Sequence, residues 1–236
     1  MLNKIINGTF DKLGYKIAKN GKIEGFNLFN PGYLSKICNP KTVIDVGVGF
    51  GTHLLYQSFP TSYFILIEPI EEYKSSIDEI LLKYKGEVHY KAIGHEAGTI
   101  ELDVDIDDLQ LSSHFKRTEL TLRNNHRIEK RKVEIVSLDI LLNPINKLKR
   151  PIVLKVDTEG NELNVLKGSK LLLKSTDFVI AEASIAKRFE NSYEFDELVT
   201  FMRKNGFIVF SILSIGHSAK EIRPRFADVV FARSTS

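Results

Sequence analysis

Asp45, Gly47, Gly49 and Gly51 stand at alternate positions in the stretch TVIDVGVGFGT, Thr42–Thr52. The apolar residues Val43, Ile44 and Val46 around the acid predict a buried strand. The glycines predict a turn that can take positive φ and bring backbone close to a ligand. A strand, a tight glycine turn and a helix start form the nucleotide crevice at the carboxyl edge of an open α/β sheet. A dinucleotide fingerprint needs a third glycine three places after the second. Thr52 stands there, so that pattern fails.

The spacing D-x-G-x-G-x-G is that of S-adenosylmethionine (SAM) methyltransferases. SAM has no phosphates, and no Walker-type lysine follows Gly51. Tyr63–Glu68 (YFILIE) is a second apolar run that ends in an acid, about twenty residues after the glycines. That distance suits one helix and one return strand, and Glu68 can accept both ribose hydroxyls of a nucleoside. Pro69 stops the strand. A plain Gly-rich turn and a surface glutamate are the bland readings of the two features; together they point to a nucleoside-type cofactor.

Methyl transfer to a hydroxyl needs the acceptor in line with the methyl group and a group that takes its proton. Asp157, at the end of the apolar run PIVLKV (Pro151–Val156), is the first candidate base. Glu159 follows two residues on, where an acid can equally serve a helix start. Glu182 ends the run FVIA (Phe178–Ala181) as Asp157 ends its own, and neighbouring strands would bring the two carboxylates together. Such a pair can share a proton, bind acceptor hydroxyls or hold Mg²⁺, although strand-end acids are common without metal and none is assigned. Lys155, in an otherwise apolar strand, is expected to pair with a nearby acid. His114 and His217 are further candidate bases; His53 either touches the cofactor or packs.

Positioning these residues requires alternating strands and helices. Helical patterns cover Thr52–Phe59, Glu71–Tyr84, Leu138–Leu142, Glu159–Leu173 with Leu163, Leu166, Leu171 and Leu172 inward, and Phe195–Lys204. Val88–Ile93 predicts a third strand, and Thr99–Ile106 (TIELDVDI) alternates as a half-exposed strand does. Val133–Val136 is a short strand. Phe207–Leu213 and Phe226–Ala232 have no crossover helix between them and should pair antiparallel. The expected fold is α/β, a Rossmann-like, mostly parallel, doubly wound sheet ending in an antiparallel hairpin. Residues 1–40 read as a lead-in segment and 41–236 as the catalytic domain. A stretch at about 99–132 is expected to shape the acceptor pocket.

The succession DVGVGFG, IEP, AIG, SLD, LKVDTEGNELNVLKG and IAEAS resembles the FkbM family of SAM-dependent methyltransferases, from Thr42 to Glu182. Val48 and Phe50 stand where that family usually has Ala and Asn, and Thr158 where Val is common; the glycines and acids stay in place. The resemblance implies O-methylation, often of a sugar hydroxyl in a glycan or natural product. It adds Ala92, of AIG, and Asp157 to the cofactor-binding positions Asp45, Gly47, Gly49, Gly51 and Glu68. Ser112 and Ser113, before His114, resemble a serine pair of the family. Two alternatives stay open: a nicotinamide-dependent oxidoreductase, and an inactive SAM-binding module that would have lost the strand-end acids.

Composition limits the rest. The 236 residues suffice for one domain with its own core. The single cysteine, Cys38, excludes a disulfide framework and a Cys-based zinc site. No run approaches a signal peptide or a membrane span, so a cytoplasmic protein without an integral membrane segment is expected. A net charge of +3 does not argue for nucleic acid. The basic cluster RNNHRIEKRK (Arg123–Lys132) lacks stacking aromatics and reads as a solvated helix or loop face. The expected partner is a small-molecule or glycan acceptor; a homo-oligomer is compatible with the sequence.

Overall fold

β1 (Thr42–Val46) is buried at every position, with its alternate side chains entering two different cores. Val43 joins Leu55, Tyr56, Phe64, Ile77 and Ile80 on one face of the sheet. Ile44 and Val46 join Ile65, Leu154, Leu163 and Leu166 on the other. A strand covered on both faces has no polar side to show, which is why it reads as a continuous apolar run. These relationships come from a computed structural model that describes residues 28–122, 125–216 and 223–234. His217 and most of the lead-in segment lie outside the described residues.

β1 is central in a seven-stranded sheet. β2 (Tyr63–Ile67) and then β3 (Gly86–His89) lie on one side, and β7 (Ile152–Val156) and β8 (Phe178–Ser184) on the other, all parallel. β10 (Phe226–Arg233) pairs antiparallel with β8, and β9 (Phe207–Gly216) pairs antiparallel with β10 at the edge. This is the expected doubly wound sheet with its closing hairpin. α2 (His53–Ser58) and α3 (Lys74–Lys83) cover one face. α5 (Glu162–Lys167), α6 (Lys170–Ser175) and α7 (Phe195–Lys204) cover the other. In α3, Ile77 and Ile80 are buried, each contributing about 1.5–3 kcal/mol. α7 starts with a reciprocal capping box between Glu194 and Glu197. α1 (Pro31–Ile37) is capped by Asn30, and Tyr33 bonds Ser211 of β9.

Four expectations need correcting. The run Val88–Ile93 is two strands: β3 ends at His89, and β4 (Ala92–Ile93) belongs to a separate three-stranded sheet, order β4-β6-β5. There β5 (Gly98–Asp105) pairs antiparallel with β6 (Ile128–Val136), twice the length expected around Val133. The second half of the basic cluster, Ile128–Lys132, is therefore strand. Three of its cations are spent on neighbours: Arg127 on Asp107, Lys130 on Glu101, and Arg131 on Glu72 and Glu129.

The helix expected from Glu159 to Leu173 is likewise two, broken at Gly168 and Ser169. The break shifts the phase, so Leu171 is exposed while Leu163, Leu166 and Leu172 remain buried. Glu159 precedes the helix in a left-handed turn, φ 50°. α4 (Leu138–Leu141), capped by the Ser137 hydroxyl, closes the link to β7.

Candidate active site

The carboxyl ends of β1, β2 and β7 open into a crevice of about 400 Å³. Its floor begins at Gly47, whose φ is +80°, and a Cβ there would lie 1.7 Å from the Asp157 carbonyl oxygen. Only glycine lets the turn pass so close under the end of β7. Gly49 follows, and its N–H donates to Glu68 Oε2 at 2.9 Å, while Ile70 N–H donates to Oε1 at 3.0 Å. The Glu68 carboxylate is thereby fixed beside the glycine turn, one acceptor site on each oxygen already used. Burial raises its pKa to about 7, against the pull of those two N–H groups and of Lys155. Gly51 and Ala92 also line the crevice.

Asp45 lies beneath this floor, fully buried and not among the lining residues. Register explains its partner: Asp45 on β1 is paired with Lys155 on β7. The Lys155 ammonium sits 3.2 Å from Asp45 Oδ1 and 3.4 Å from Asp157 Oδ2, and donates to the Gly47 carbonyl at 3.0 Å. The Tyr56 hydroxyl donates to the other Asp45 oxygen at 2.6 Å. Burial alone would lower the Lys155 pKa; the charges of Asp45 and Asp157 outweigh it and raise the pKa above its ordinary value. Asp45 therefore reaches the crevice only through the lysine it anchors.

Asp157, Glu159 and Glu182 each place a carboxylate oxygen within 4.8 Å of the others. Such a trio has the oxygen chemistry of a divalent-cation site. Protein cations already meet all three of its members: Lys155 meets Asp157 as above, Arg188 Nη2 meets Glu182 at 2.6 Å and Nη1 meets Glu159 at 3.7 Å, and Arg117 meets Glu159 at 3.4 Å. Both guanidiniums pack on the Phe189 ring. Burial, then the Asp157 charge, hold Glu182 well above the usual carboxylate range in spite of Arg188. Burial and Asp157 likewise take Glu159 to about 7, against the pull of Arg188 and Arg117. Asp228, opposite Glu182 in the β8–β10 ladder and bonded to the Ser214 hydroxyl, extends the acidic row.

The second sheet forms the opposite wall. Ile100, Leu102, Leu109, Ser112, Ser113 and His114 line the crevice. The Ser113 hydroxyl donates to the Glu159 carbonyl at 2.6 Å, tying this wall to the acids. His114 is exposed at the rim, its Nδ1 3.0 Å from the Glu101 carbonyl. His53 is exposed against Tyr56 and does not line the crevice.

Sequence reading missed four contributors. Arg188 and Arg117 follow no motif and arrive from loops. Asp228 had a signal, an acid inside the apolar run FADVVFA. Glu162 stood inside the motif LKVDTEGNELNVLKG with no role assigned to it. Fully buried, its Oε1 accepts from the N–H groups of Thr158 and Gly160 and from the Thr158 hydroxyl, shaping the turn that presents Glu159.

A doubly wound sheet with a glycine turn after β1, an acid after β2 and acids after β7 and β8 defines the architecture of a SAM-dependent methyltransferase. The chain belongs to the methyltransferase FkbM domain family, whose profile matches residues 45–209. Membership sets aside the nicotinamide alternative. No curated protein matches the sequence. Among solved structures, TehB from Haemophilus influenzae is similar at 14% identity and TM-score 0.46, over 86% of this chain and 61% of that one. The ribosomal protein L11 methylase from Lactobacillus delbrueckii subsp. bulgaricus is similar at 12% identity and TM-score 0.40, over 89% and 81%. Among the described residues no helix is long and apolar enough to cross a membrane.

Proposed function

We propose that the protein methylates a hydroxyl of a sugar in a glycan or natural product, with SAM as donor. The observation that carries this reading is the meeting of Asp157, Glu159 and Glu182 in the crevice that Glu68 and the glycine turn also line. The residues present fit the cofactor: the Gly47 turn leaves no room for a Cβ, and Glu68 keeps an open acceptor site on each oxygen for a ribose diol. Gly47, Gly49, Gly51, Glu68 and Ala92 would hold it. Bound SAM supplies an electrophilic methyl group on a sulfonium.

The protein's own part is orientation and proton removal. Lys155, two residues before Asp157 on the same strand face, holds its ammonium 3.4 Å from Asp157 Oδ2 and so fixes that carboxylate in place. Asp157 would take the proton of the acceptor hydroxyl. Glu159 and Glu182, held by Arg188, fix the direction of that hydroxyl. Retention of all three strand-end acids argues against an inactive binding module. His114 at the rim belongs to acceptor recognition in this reading.

Calorimetry with SAM tests the cofactor assignment. Glu68→Ala should weaken binding by roughly 1.5–3 kcal/mol, the scale of hydrogen bonds to a charged group. Unchanged affinity in a variant with intact circular dichroism would sink it. Transfer of tritiated methyl to fractionated glycans tests the acceptor class.

A further inference from the structure

Tyr73 lines the crevice and has no part in the scheme above. It is 2% exposed, and its hydroxyl has no hydrogen-bond partner. A buried hydroxyl without a partner costs stability, so this one points to a ligand atom that it meets on binding.

The position of the ring says which part of the ligand. Its phenol carbon Cζ lies 3.9 Å from where a Cβ on Gly49 would stand, and Phe50 holds the ring edge-on with centroids 4.9 Å apart. The N–H of that same Gly49 donates to Glu68 Oε2 at 2.9 Å. The phenol and the Glu68 carboxylate therefore flank one glycine, in the cofactor half of the crevice. The carboxylate does not take the phenol's proton; its bonded donors are the N–H groups of Gly49 and Ile70. Burial, and after it the charge of Glu68, raises the Tyr73 pKa, so the phenol remains a donor near neutral pH.

Donor and acceptor chemistry then narrows the ligand atom. The phenol offers a proton, and each Glu68 oxygen keeps an open acceptor site. Along the cofactor, the ammonium only donates, and the carboxylate and the adenine ring nitrogens only accept. A ribose hydroxyl does both, giving its hydrogen to the carboxylate while a lone pair accepts from the phenol.

We infer that Tyr73 is a cofactor-binding residue whose hydroxyl donates to a ribose hydroxyl of SAM, and that this ribose hydroxyl in turn donates to Glu68. The inference rests on the SAM reading above. It adds a second side chain that grips the ribose, with a bond that forms only when the cofactor binds.

Calorimetry on the full chain and on Tyr73→Phe tests it, with S-adenosylhomocysteine and its 2′-deoxy and 3′-deoxy analogues as probes. Tyr73→Phe should bind S-adenosylhomocysteine roughly fivefold more weakly than wild type. For at least one deoxy analogue, the one lacking the gripped hydroxyl, the two proteins should bind equally. The substitution removes a group that is unpaired without ligand, so the ligand-free variant should melt no lower than wild type. S-adenosylhomocysteine should raise its melting temperature less.

Equal S-adenosylhomocysteine affinity of the two proteins overturns the inference. So does a loss that persists in full with both deoxy analogues, which would place the phenol on another part of the cofactor. A ligand-free variant that melts below wild type also overturns it, by showing the hydroxyl to be a contact of the fold. Failure of the wild-type chain to bind S-adenosylhomocysteine is a different result, which overturns the SAM reading itself and this inference with it.

Discussion

Asp45 and Lys155 face each other across β1 and β7 at 3.2 Å, both buried, and the same ammonium reaches Asp157 at 3.4 Å. One buried ion pair thus joins the strand that opens the glycine turn to the strand that carries the candidate base. Removing one member of such a pair strands the other.

Lys155→Met should therefore destabilise the fold by about 3–5 kcal/mol, because the buried Asp45 loses its ion-pair partner. The double variant Asp45→Asn, Lys155→Met should be more stable than Lys155→Met alone. Urea unfolding of the three proteins decides; equal stability of wild type and Lys155→Met would show the pair to be inert.

Asp157→Asn keeps the shape and removes the basicity. Turnover should fall ~10²–10⁴-fold with SAM affinity little changed. A smaller loss that higher pH restores would mark a positioning role. Full turnover in this variant, with Glu182→Gln inactive, would move the base to β8.

The raised Glu159 pKa has a sign that thermal melting can read. Its folded value of about 7 lies above the ordinary 4.5, so the native state binds more protons than the unfolded chain between those limits. The stability it contributes is complete below the lower limit and lost as pH rises through the upper one. Glu159→Gln, which cannot titrate, should flatten the fall in melting temperature across this window. A slope identical to wild type would remove Glu159 as its source.

His114→Ala should change the rate on the acceptor and leave SAM affinity nearly unaltered, since the imidazole stands at the rim on the second sheet. Collapse of SAM affinity in calorimetry would assign this wall to the cofactor.

The readable features were those that local chemistry dictates. A buried parallel strand must be apolar throughout, so Asp45 and Lys155 stood out as exceptions, and a turn where a Cβ would lie 1.7 Å from another carbonyl oxygen must be glycine. The closing hairpin was legible because no crossover helix separates its strands. Long-range and side-chain-driven features were not. VHYKAI has one continuous pattern, yet Tyr90 and Lys91 turn the chain from one sheet into another, which only tertiary pairing decides. Arg188 is placed by Glu182, Ser184 and the Phe189 and Phe226 rings, none of which gives an arginine a sequence signature.

Ile93 and Val136 are ladder partners, and Gly94 N–H bonds the Val136 carbonyl at 3.0 Å. The described segment between them, including the wall with Ser113 and His114, departs from and rejoins the main chain at this one point, and inside it Ser113 and Arg117 on Glu159 and Arg131 on Glu72 tie it back. The segment is in effect a replaceable cassette: its interior can diverge while its two anchored ends, and the cofactor half of the molecule, stay as they are. A graft of residues 95–135 from another family member should carry over that protein's acceptor preference and keep this one's SAM affinity, so acceptor range can change here by exchange of one loop-like unit rather than by remodelling the sheet.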